Sequence, residues 1–136
     1  FLGSGLFDLA RATKEGVNVG MGTDIGAGTS FSILQTLNEA YKVQQLKGDT
    51  LSPFHALYLA TLGGAETLDI SSHIGNFEPN READFIVVDK SATPLLEFRL
   101  KHCTSLFEEL FVLMMLGDDR CIRETWVLGE LAHIRS

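Results

Sequence analysis

Cysteines and basic residues are scarce in this sequence, and both shortages exclude classes of protein. The 136 residues include 2 cysteines, Cys103 and Cys121. These cannot build a disulfide framework and do not form a C-x-x-C metal pair, so we expect free thiols in a reducing compartment. Lys and Arg total 11 against 18 Asp and Glu, a net charge of -7. This sign disfavours nucleic acid and anionic membranes as partners, because both are bound through basic patches.

Long apolar runs are also missing. The longest, residues 110–116, has about seven residues, whereas a membrane-spanning helix needs about 20. The first residues carry no charged region before an apolar stretch, so we expect no secretory signal peptide. The 9 Phe, 2 Tyr and 1 Trp, with 45% apolar residues, indicate a folded core. We therefore expect a globular protein of the cytoplasm.

Spacing of apolar residues predicts helices through most of the first half. Capping hydroxyls before these helices and glycines after them support their ends. The predicted helices cover residues 6–15, 30–47, 53–62 and 65–68. We expect Gly63 and Gly64 to break the third of them, because adjacent glycines disfavour helical backbone.

Residues 17–24 lie between the first two helices and alternate in character, which is typical of a strand. The face that we expect to pack on helices consists of Val17, Val19 and Met21. The opposite face consists of Asn18, Gly20, Gly22 and Asp24. Two glycines on one face leave space beside a strand, as a barrel lumen or a ligand site requires.

The second half is predicted to contain mostly strands. They cover residues 83–89, 121–128 and 131–135, and a tight turn at Gly129 and Glu130 joins the last two. A helix is predicted over residues 105–116, ended by a glycine and two aspartates. The whole chain is therefore expected to be an α/β protein.

Asp24 is the strongest candidate for a chemical role. It ends the predicted strand, precedes a glycine-rich loop and shares a face with Gly20 and Gly22. In barrels of alternating strands and helices, catalytic residues lie at the C-terminal ends of strands. A simpler interpretation is that Asp24 caps the following turn or helix, and its position alone leaves both open.

The histidines do not form a metal-binding pattern. They are His55, His73, His102 and His133. None is spaced as in H-x-H, H-x-x-x-H or H-E-x-x-H. We therefore expect each of them to lie on the surface or to be hydrogen-bonded in the core.

Several blocks of sequence together resemble the guanine deaminases of the metal-dependent amidohydrolase superfamily. They are G-x-G-T-D at residues 20–24 with the glycine-rich loop after it, QTLNEAYK at 35–42, LATLGGA at 59–65, IGNFEP at 74–79, EADF at 82–85 and LGDDR at 116–120. The resemblance covers essentially the whole chain and is nearest to the bacterial members. Asn80 stands where the family usually has glycine, an exchange that a left-handed backbone tolerates.

The resemblance implies a (β/α)8 TIM-type barrel with a small β-sandwich. Residues 1–70 would supply the closing barrel strand and its flanking helices. Residues 71–136 would supply the C-terminal share of the sandwich and a packing helix. Members of the family are much longer than this chain, which therefore resembles their C-terminal segment. The family's histidine ligands and catalytic glutamate would lie upstream of it.

The activity implied by the resemblance is zinc-dependent hydrolysis of guanine to xanthine and ammonia, a step of purine catabolism. A single Zn²⁺ in each active site would make hydroxide available at neutral pH. Asp24 matches the family's metal-contacting aspartate, and would bind the metal and accept the proton of the water. Because the other ligands would lie upstream, we expect the isolated segment to be inactive.

Guanine is the partner that the resemblance implies, together with a second copy of the enzyme in a homodimer. Neither nucleic acid nor a membrane is expected. Two other interpretations stay open. The first is another aminohydrolase of the superfamily, acting for instance on a triazine or an adenosine derivative. The second is a non-catalytic interaction module that kept this part of the fold, and an upstream sequence containing H-x-H would contradict it.

Overall fold

The structure, a computed structural model, describes residues 3–136. Residues 1 and 2, where the first predicted region begins, lie outside the described residues. Within residues 3–136 the elements in chain order are α1 (Leu9–Lys14), α2 (Ile33–Lys47), α3 (Pro53–Ala60), α4 (Leu62–Thr67), β1 (Phe85–Val88), α5 (Pro94–Leu100), α6 (Leu106–Leu116), the 3-10 helix Asp119–Cys121, β2 (Ile122–Val127) and β3 (Glu130–Ile134). Helices thus dominate the first half, and the strands lie in the second.

Side-chain caps fix where α1 and α3 begin. Asp8 accepts a hydrogen bond from the Arg11 backbone N–H at 2.9 Å, so α1 starts directly after Asp8 and later than predicted. Ser52 accepts one from the His55 N–H at 3.2 Å, and Pro53 occupies the first position of α3. A capping hydroxyl followed by proline is a favourable helix start, because proline needs no N–H there. The predicted start of α3 is confirmed.

The helix α2 begins at Ile33, later than the predicted residue 30. Ser32 occupies the N-cap position without a side-chain cap, while the Ser30 hydroxyl accepts a hydrogen bond from the Ser32 N–H at 2.9 Å. Ser30 therefore stabilises the turn before the helix instead of its first turn. The helix ends as predicted at Gly48, whose φ of 87° is left-handed.

The break between α3 and α4 lies at Thr61, and the prediction that Gly63 and Gly64 form it is wrong. Thr61 has φ −126° and ψ −100°, outside the helical region, whereas both glycines lie within α4. Their small size serves close packing. A Cβ on Gly63 would lie 2.9 Å from the Tyr58 ring, so this helix requires glycine for its approach to α3.

The strand predicted over residues 17–24 is not formed among residues 3–136, and this prediction is corrected. The segment has no ladder partner in the described part of the chain. One of its amides is paired with a helix instead, because the Met21 N–H donates to the Leu59 carbonyl at 2.8 Å. A strand exists only where a neighbouring strand satisfies its backbone groups, so alternation alone could not produce one here.

Helix α5 was not predicted from the sequence. Thr93 caps it by accepting a hydrogen bond from the Leu96 N–H at 3.2 Å, and Pro94 takes its first position. This is the same hydroxyl-then-proline signal that marks α3. The pattern was therefore readable, although seven residues are few for a helix.

The three strands form one antiparallel sheet in the order β1-β2-β3. Phe85 of β1 pairs with Trp126 of β2, and their rings stack at 5.5 Å with an interplanar angle of 8°. The β2–β3 turn lies at Leu128 and Gly129, one position before the predicted one, and their φ angles are 54° and 77°. Positive φ at both central residues defines the tight hairpin turn that matches strand twist. The α/β class is confirmed.

Residues Ala83 and Asp84 hold this hairpin turn from the β1 side. The Asp84 carboxylate accepts a hydrogen bond from the Leu128 N–H at 2.8 Å. The Ala83 carbonyl accepts one from the Gly129 N–H at 3.1 Å. Earlier in the chain, Asn80 has a φ of 70°, so it occupies the left-handed position that the sequence predicts for it.

Two apolar clusters form the core, and α6 contributes to both. Met114 packs in the first cluster, whose other buried members are Leu9, Leu37, Leu51, Ala56 and Leu59. Val112 packs in the second, whose other buried members are Leu34, Leu96, Leu100 and Cys121. Each cluster therefore joins residues from both predicted regions, 1–70 and 71–136. The division into these two regions stays a prediction.

Gln44 is a buried polar residue that connects α2 to the start of α1. Its side-chain oxygen accepts a hydrogen bond from the Leu9 N–H at 3.2 Å, and its side-chain nitrogen donates to the Phe7 carbonyl at 3.0 Å. The amide thus satisfies the Leu9 N–H, which the first helical turn leaves open, and the Phe7 carbonyl just before that turn. Separately, none of the helices within residues 3–136 has the length and apolar character needed to cross a bilayer.

Candidate active site

Asp24 lies on the surface, at the end of residues 17–24, the segment that Met21 connects to α3. Its φ of 46° is left-handed, an uncommon conformation for a residue with a side chain. The Asp24 carbonyl accepts hydrogen bonds from the Ala27 N–H at 3.1 Å and the Gly28 N–H at 2.5 Å. The following loop therefore turns back on Asp24 and leaves its carboxylate at an exposed corner.

The two glycines of the G-x-G-T-D block have different surroundings. A Cβ on Gly22 would meet nothing within 4 Å, which fits the predicted open face. A Cβ on Gly20 would lie 2.8 Å from the Gly64 Cα and 3.3 Å from the Thr67 hydroxyl. The prediction that Gly20 faces the open side is therefore wrong, because Gly20 packs against α4.

The predicted apolar face is confirmed at two of its three positions. Val19 and Met21 pack against the first core cluster. Val17 is 54% exposed and does not pack as predicted. A groove of 630 Å³ runs along residues 17–22, between this segment and α2. Its lining includes Leu6, Val19, Met21, Ala40 and Val43.

The described residues do not form a metal centre on their own. Within residues 3–136, no group of three or more His, Cys, Asp or Glu side chains could hold a metal ion. A catalytic zinc normally has about three protein ligands. Asp24 is therefore a candidate for one ligand of such a centre, and a complete zinc site does not fit within residues 3–136.

All the histidines lie on the surface, which is one of the two positions that the sequence predicts. His55 lies in the first turn of α3, with its ring 6.2 Å from that of Tyr58. His102 contacts Phe98 edge to face at 4.9 Å. His73 lies in the turn after α4, and His133 lies in β3. The structure gives none of the four a metal-binding arrangement within the described residues.

The LGDDR block contains an ion pair that sequence reasoning missed. The buried Asp118 carboxylate accepts hydrogen bonds from the Arg120 guanidinium, at 2.6 Å from Nη2 and 3.1 Å from Nε. The Arg120 side chain beside it lowers the pKa of the Asp118 carboxyl. The Asp-x-Arg spacing, two residues apart around a 3-10 turn, is the signal that could have predicted this pair.

The same block requires glycine at its second position. A Cβ on Gly117 would overlap the Leu113 carbonyl oxygen and lie 2.8 Å from the Leu34 side chain. Beside it, the Asn38 side-chain amide of α2 donates to the Met115 carbonyl at 2.7 Å. The LGDDR block thus packs directly on α2, the helix that follows the Asp24 loop.

Comparison with known proteins assigns the chain to a family. Residues 1–132 match the Amidohydrolase family. The chain belongs to the amidohydrolase family.

Several guanine deaminases are similar to this chain in sequence and in structure. The chain is 57% identical to the Escherichia coli guanine deaminase over 136 residues, which are 100% of this chain and 31% of that protein. The solved E. coli structure matches with a TM-score of 0.96 and covers 100% of this chain and 32% of its own. The C. acetobutylicum guanine deaminase, solved with guanine in its active site, is 30% identical at a TM-score of 0.78, over 96% of this chain and 30% of its own.

A more distant structure shares the fold alone. An adenosine deaminase from Xanthomonas campestris, solved with zinc bound, is 21% identical at a TM-score of 0.71, and the match covers 90% of this chain and 27% of that one. The chain thus spans about a third of the length of the proteins that it matches, as the 31% for the E. coli enzyme shows.

Proposed function

We propose that this chain is the C-terminal part of a guanine deaminase, which hydrolyses guanine to xanthine and ammonia in purine catabolism. The observation that carries the proposal is the 57% identity to the E. coli enzyme along all 136 residues. The relative with guanine in its active site supports the choice of substrate. The whole protein, in which this chain is continuous with an upstream barrel, is the proposed enzyme.

The proposed architecture follows from what the chain leaves unpaired. Residues 17–24 have no ladder partner among residues 3–136, and a groove of 630 Å³ runs beside residues 17–22. Both features fit a closing barrel strand whose parallel neighbours come from elsewhere in the protein. Residues 1–70 would then form this strand and its helices. Residues 71–136 would add the antiparallel sheet to a β-sandwich.

Asp24 is the proposed catalytic residue. Its carboxylate is exposed at the end of residues 17–24, near the open position of Gly22. There it would orient a water molecule, accept its proton as a general base, and return a proton to the departing amine. Hydrolysis then joins the water oxygen to the ring carbon of guanine and releases the exocyclic nitrogen as ammonia.

Zinc is the proposed cofactor, with Asp24 as the one ligand that this chain contributes. A bound Zn²⁺ lowers the pKa of water from about 15.7 to about 7, which makes hydroxide available at neutral pH. The remaining ligands would come from the upstream barrel, since the described residues hold no group of three or more His, Cys, Asp or Glu that could bind a metal ion. We therefore expect residues 1–136 alone neither to retain zinc tightly nor to deaminate guanine.

The proposed enzyme is a cytoplasmic homodimer. The two free cysteines fit a reducing compartment, and the net charge of -7 disfavours nucleic acid as a partner.

Large apolar side chains on α5 and α6 are more than half exposed, namely Leu95, Phe98 and Leu106. Such side chains are suited to burial against another part of the assembly.

The test is a xanthine-forming assay on the whole protein carrying this chain. Guanine, adenosine and an amino-substituted triazine are offered at equal concentration, and product formation is followed by absorbance and by ammonia release. We expect turnover of guanine alone. Turnover of adenosine or the triazine instead would identify another aminohydrolase, and a folded but inactive protein would favour the interaction module.

A further inference from the structure

The glycines around Asp24 differ in what their neighbours permit. Gly22 and Gly26 each have open space where a Cβ would stand. Gly28 does not, because its Cβ would overlap the Thr23 carbonyl oxygen and lie 3.0 Å from that of Asp24. Real Cβ atoms do not approach other atoms so closely, so any side chain at residue 28 must displace backbone.

The backbone that would move is the peptide bond leading into Asp24. The Thr23 carbonyl and the Asp24 nitrogen belong to one rigid peptide plane. A displaced Thr23 oxygen therefore carries the Asp24 nitrogen and Cα with it. On the other side, the Gly28 N–H holds the Asp24 carbonyl at 2.5 Å, so the same residue contacts the peptide groups before and after Asp24.

The conformation of Asp24 itself depends on this contact. Its φ of 46° is disfavoured for a residue with a Cβ and persists only where the surroundings enforce it. The loop supplies this constraint through the Ala27 and Gly28 amides and the short bridge between Ile25 and Gly28. We infer that Gly28 is a positioning residue. Because it has no side chain, the loop can close against Asp24 and hold the Asp24 carboxylate where the proposed hydrolysis needs it.

This inference rests on the proposed function, since it acts through Asp24. Ala27 offers a matched control in the same loop, because its side chain is exposed. In the whole protein, Gly28→Ala and Ala27→Ser are compared for kcat, KM for guanine and thermal midpoint. Misplacing a catalytic group by about 1 Å can cost about 10²-fold in rate. We expect Gly28→Ala to lose at least about tenfold in kcat, with KM within about threefold and an unchanged midpoint.

Two results would overturn the inference. The first is a kcat of Gly28→Ala within about threefold of Ala27→Ser. The second is a parallel loss of kcat, substrate affinity and thermal midpoint, which is the result of general destabilisation. If Gly28→Ala does not fold, Ala27→Pro replaces it, because proline removes one of the two amides that hold the Asp24 carbonyl. An Ala27→Pro variant with the control's kcat would also overturn it.

Asp24→Asn, measured in parallel, distinguishes this failure from that of the proposed function. An active Asp24→Asn overturns both the role of Asp24 and the role of Gly28. An inactive Asp24→Asn together with an active Gly28→Ala leaves the proposed function intact and overturns the positioning role alone.

Discussion

Gly20 packs directly on Gly64, at a distance that excludes a side chain on Gly20. A Cβ on Gly20 would lie 2.8 Å from the Gly64 Cα and 3.5 Å from its nitrogen. The Met21 N–H, one residue later, donates to the Leu59 carbonyl at 2.8 Å. The G-x-G-T-D block and the LATLGGA block are thus two sides of one contact, and the second holds the segment that ends at Asp24.

The contact predicts different effects of alanine at its two glycines. Gly20→Ala forces backbone apart, and overpacking typically costs about 1–3 kcal/mol. Gly64→Ala places its Cβ 3.4 Å from the Leu59 carbonyl and meets nothing closer. It also replaces a helical glycine, which favours folding by about 0.5–1 kcal/mol. Chemical denaturation of the whole protein measures both. Equal destabilisation by the two substitutions would contradict the observed packing.

Asp24→Asn should abolish most of the deaminase activity without unfolding the protein. General acid–base catalysis contributes about 10²–10⁴-fold, and the amide cannot accept a proton as the carboxylate does. The two side chains are similar in size, and Asp24 is exposed, so the thermal midpoint should stay the same. Steady-state kinetics with guanine measure the effect. A variant that keeps more than about a tenth of wild-type turnover would rule out the role proposed for Asp24.

Leu128→Asn should stabilise the protein. Leu128 is 64% exposed and has a φ of 54°, so its side chain contributes little burial and its backbone is strained. Left-handed backbone costs a residue with a Cβ about 1–2 kcal/mol, and Asn tolerates it better. The bond from the residue 128 N–H to Asp84 is kept. We expect a gain of about 1 kcal/mol in the free energy of unfolding.

Leu131→Asn is the matched control for this hairpin substitution. Leu131 lies in β3, is 46% exposed and is not among the residues with positive φ. It should therefore gain nothing from Asn. A gain of the same size at residues 128 and 131 would show that removing surface leucines, and not relief of the turn, is responsible.

The Asp118–Arg120 pair predicts a component of acid unfolding. The Arg120 guanidinium lowers the pKa of the Asp118 carboxyl below its ordinary value of 3.8. A depressed folded-state pKa contributes stability that is fully present above the unfolded pKa and is lost as pH falls through the folded one. The contribution of this pair should therefore be intact at neutral pH, begin to fall at about pH 4, and be lost as the pH falls further through the lowered folded-state pKa.

Asp118→Asn removes the titrating group and keeps its shape. The variant should be less stable than wild type near neutral pH, and the difference should shrink as the pH falls below about 4. Thermal midpoints of the whole protein across this range measure both. Other carboxyls with lowered pKa, including Asp89 beside Ser91 and Arg135, act equally in both proteins. A difference that does not change with pH would mean that Asp118 does not titrate in this way.

Local chemistry determined the helix starts, the hairpin and the exposed corner at Asp24. The Ser52-Pro53 start of α3 could be read from the sequence because a cap and a proline act within one turn. Gly48 after α2 and Asn80 could be predicted in the same way, because each of these residue types tolerates the left-handed φ that it adopts. The position of Asp24 before a glycine-rich loop is likewise a matter of adjacent residues.

Tertiary contacts decided how residues that lie far apart in the sequence pack against each other. Gly20 was expected on an open face and packs on Gly64, a contact across 44 positions that the alternation of residues 17–24 does not encode. Gly63 and Gly64 were expected to end a helix and lie inside one, because packing against α3 and Gly20 outweighs their low helix propensity. Residues 17–24 have the pattern of a strand but lack one among residues 3–136, since a strand is completed by hydrogen bonds from a neighbour that this part of the chain does not supply.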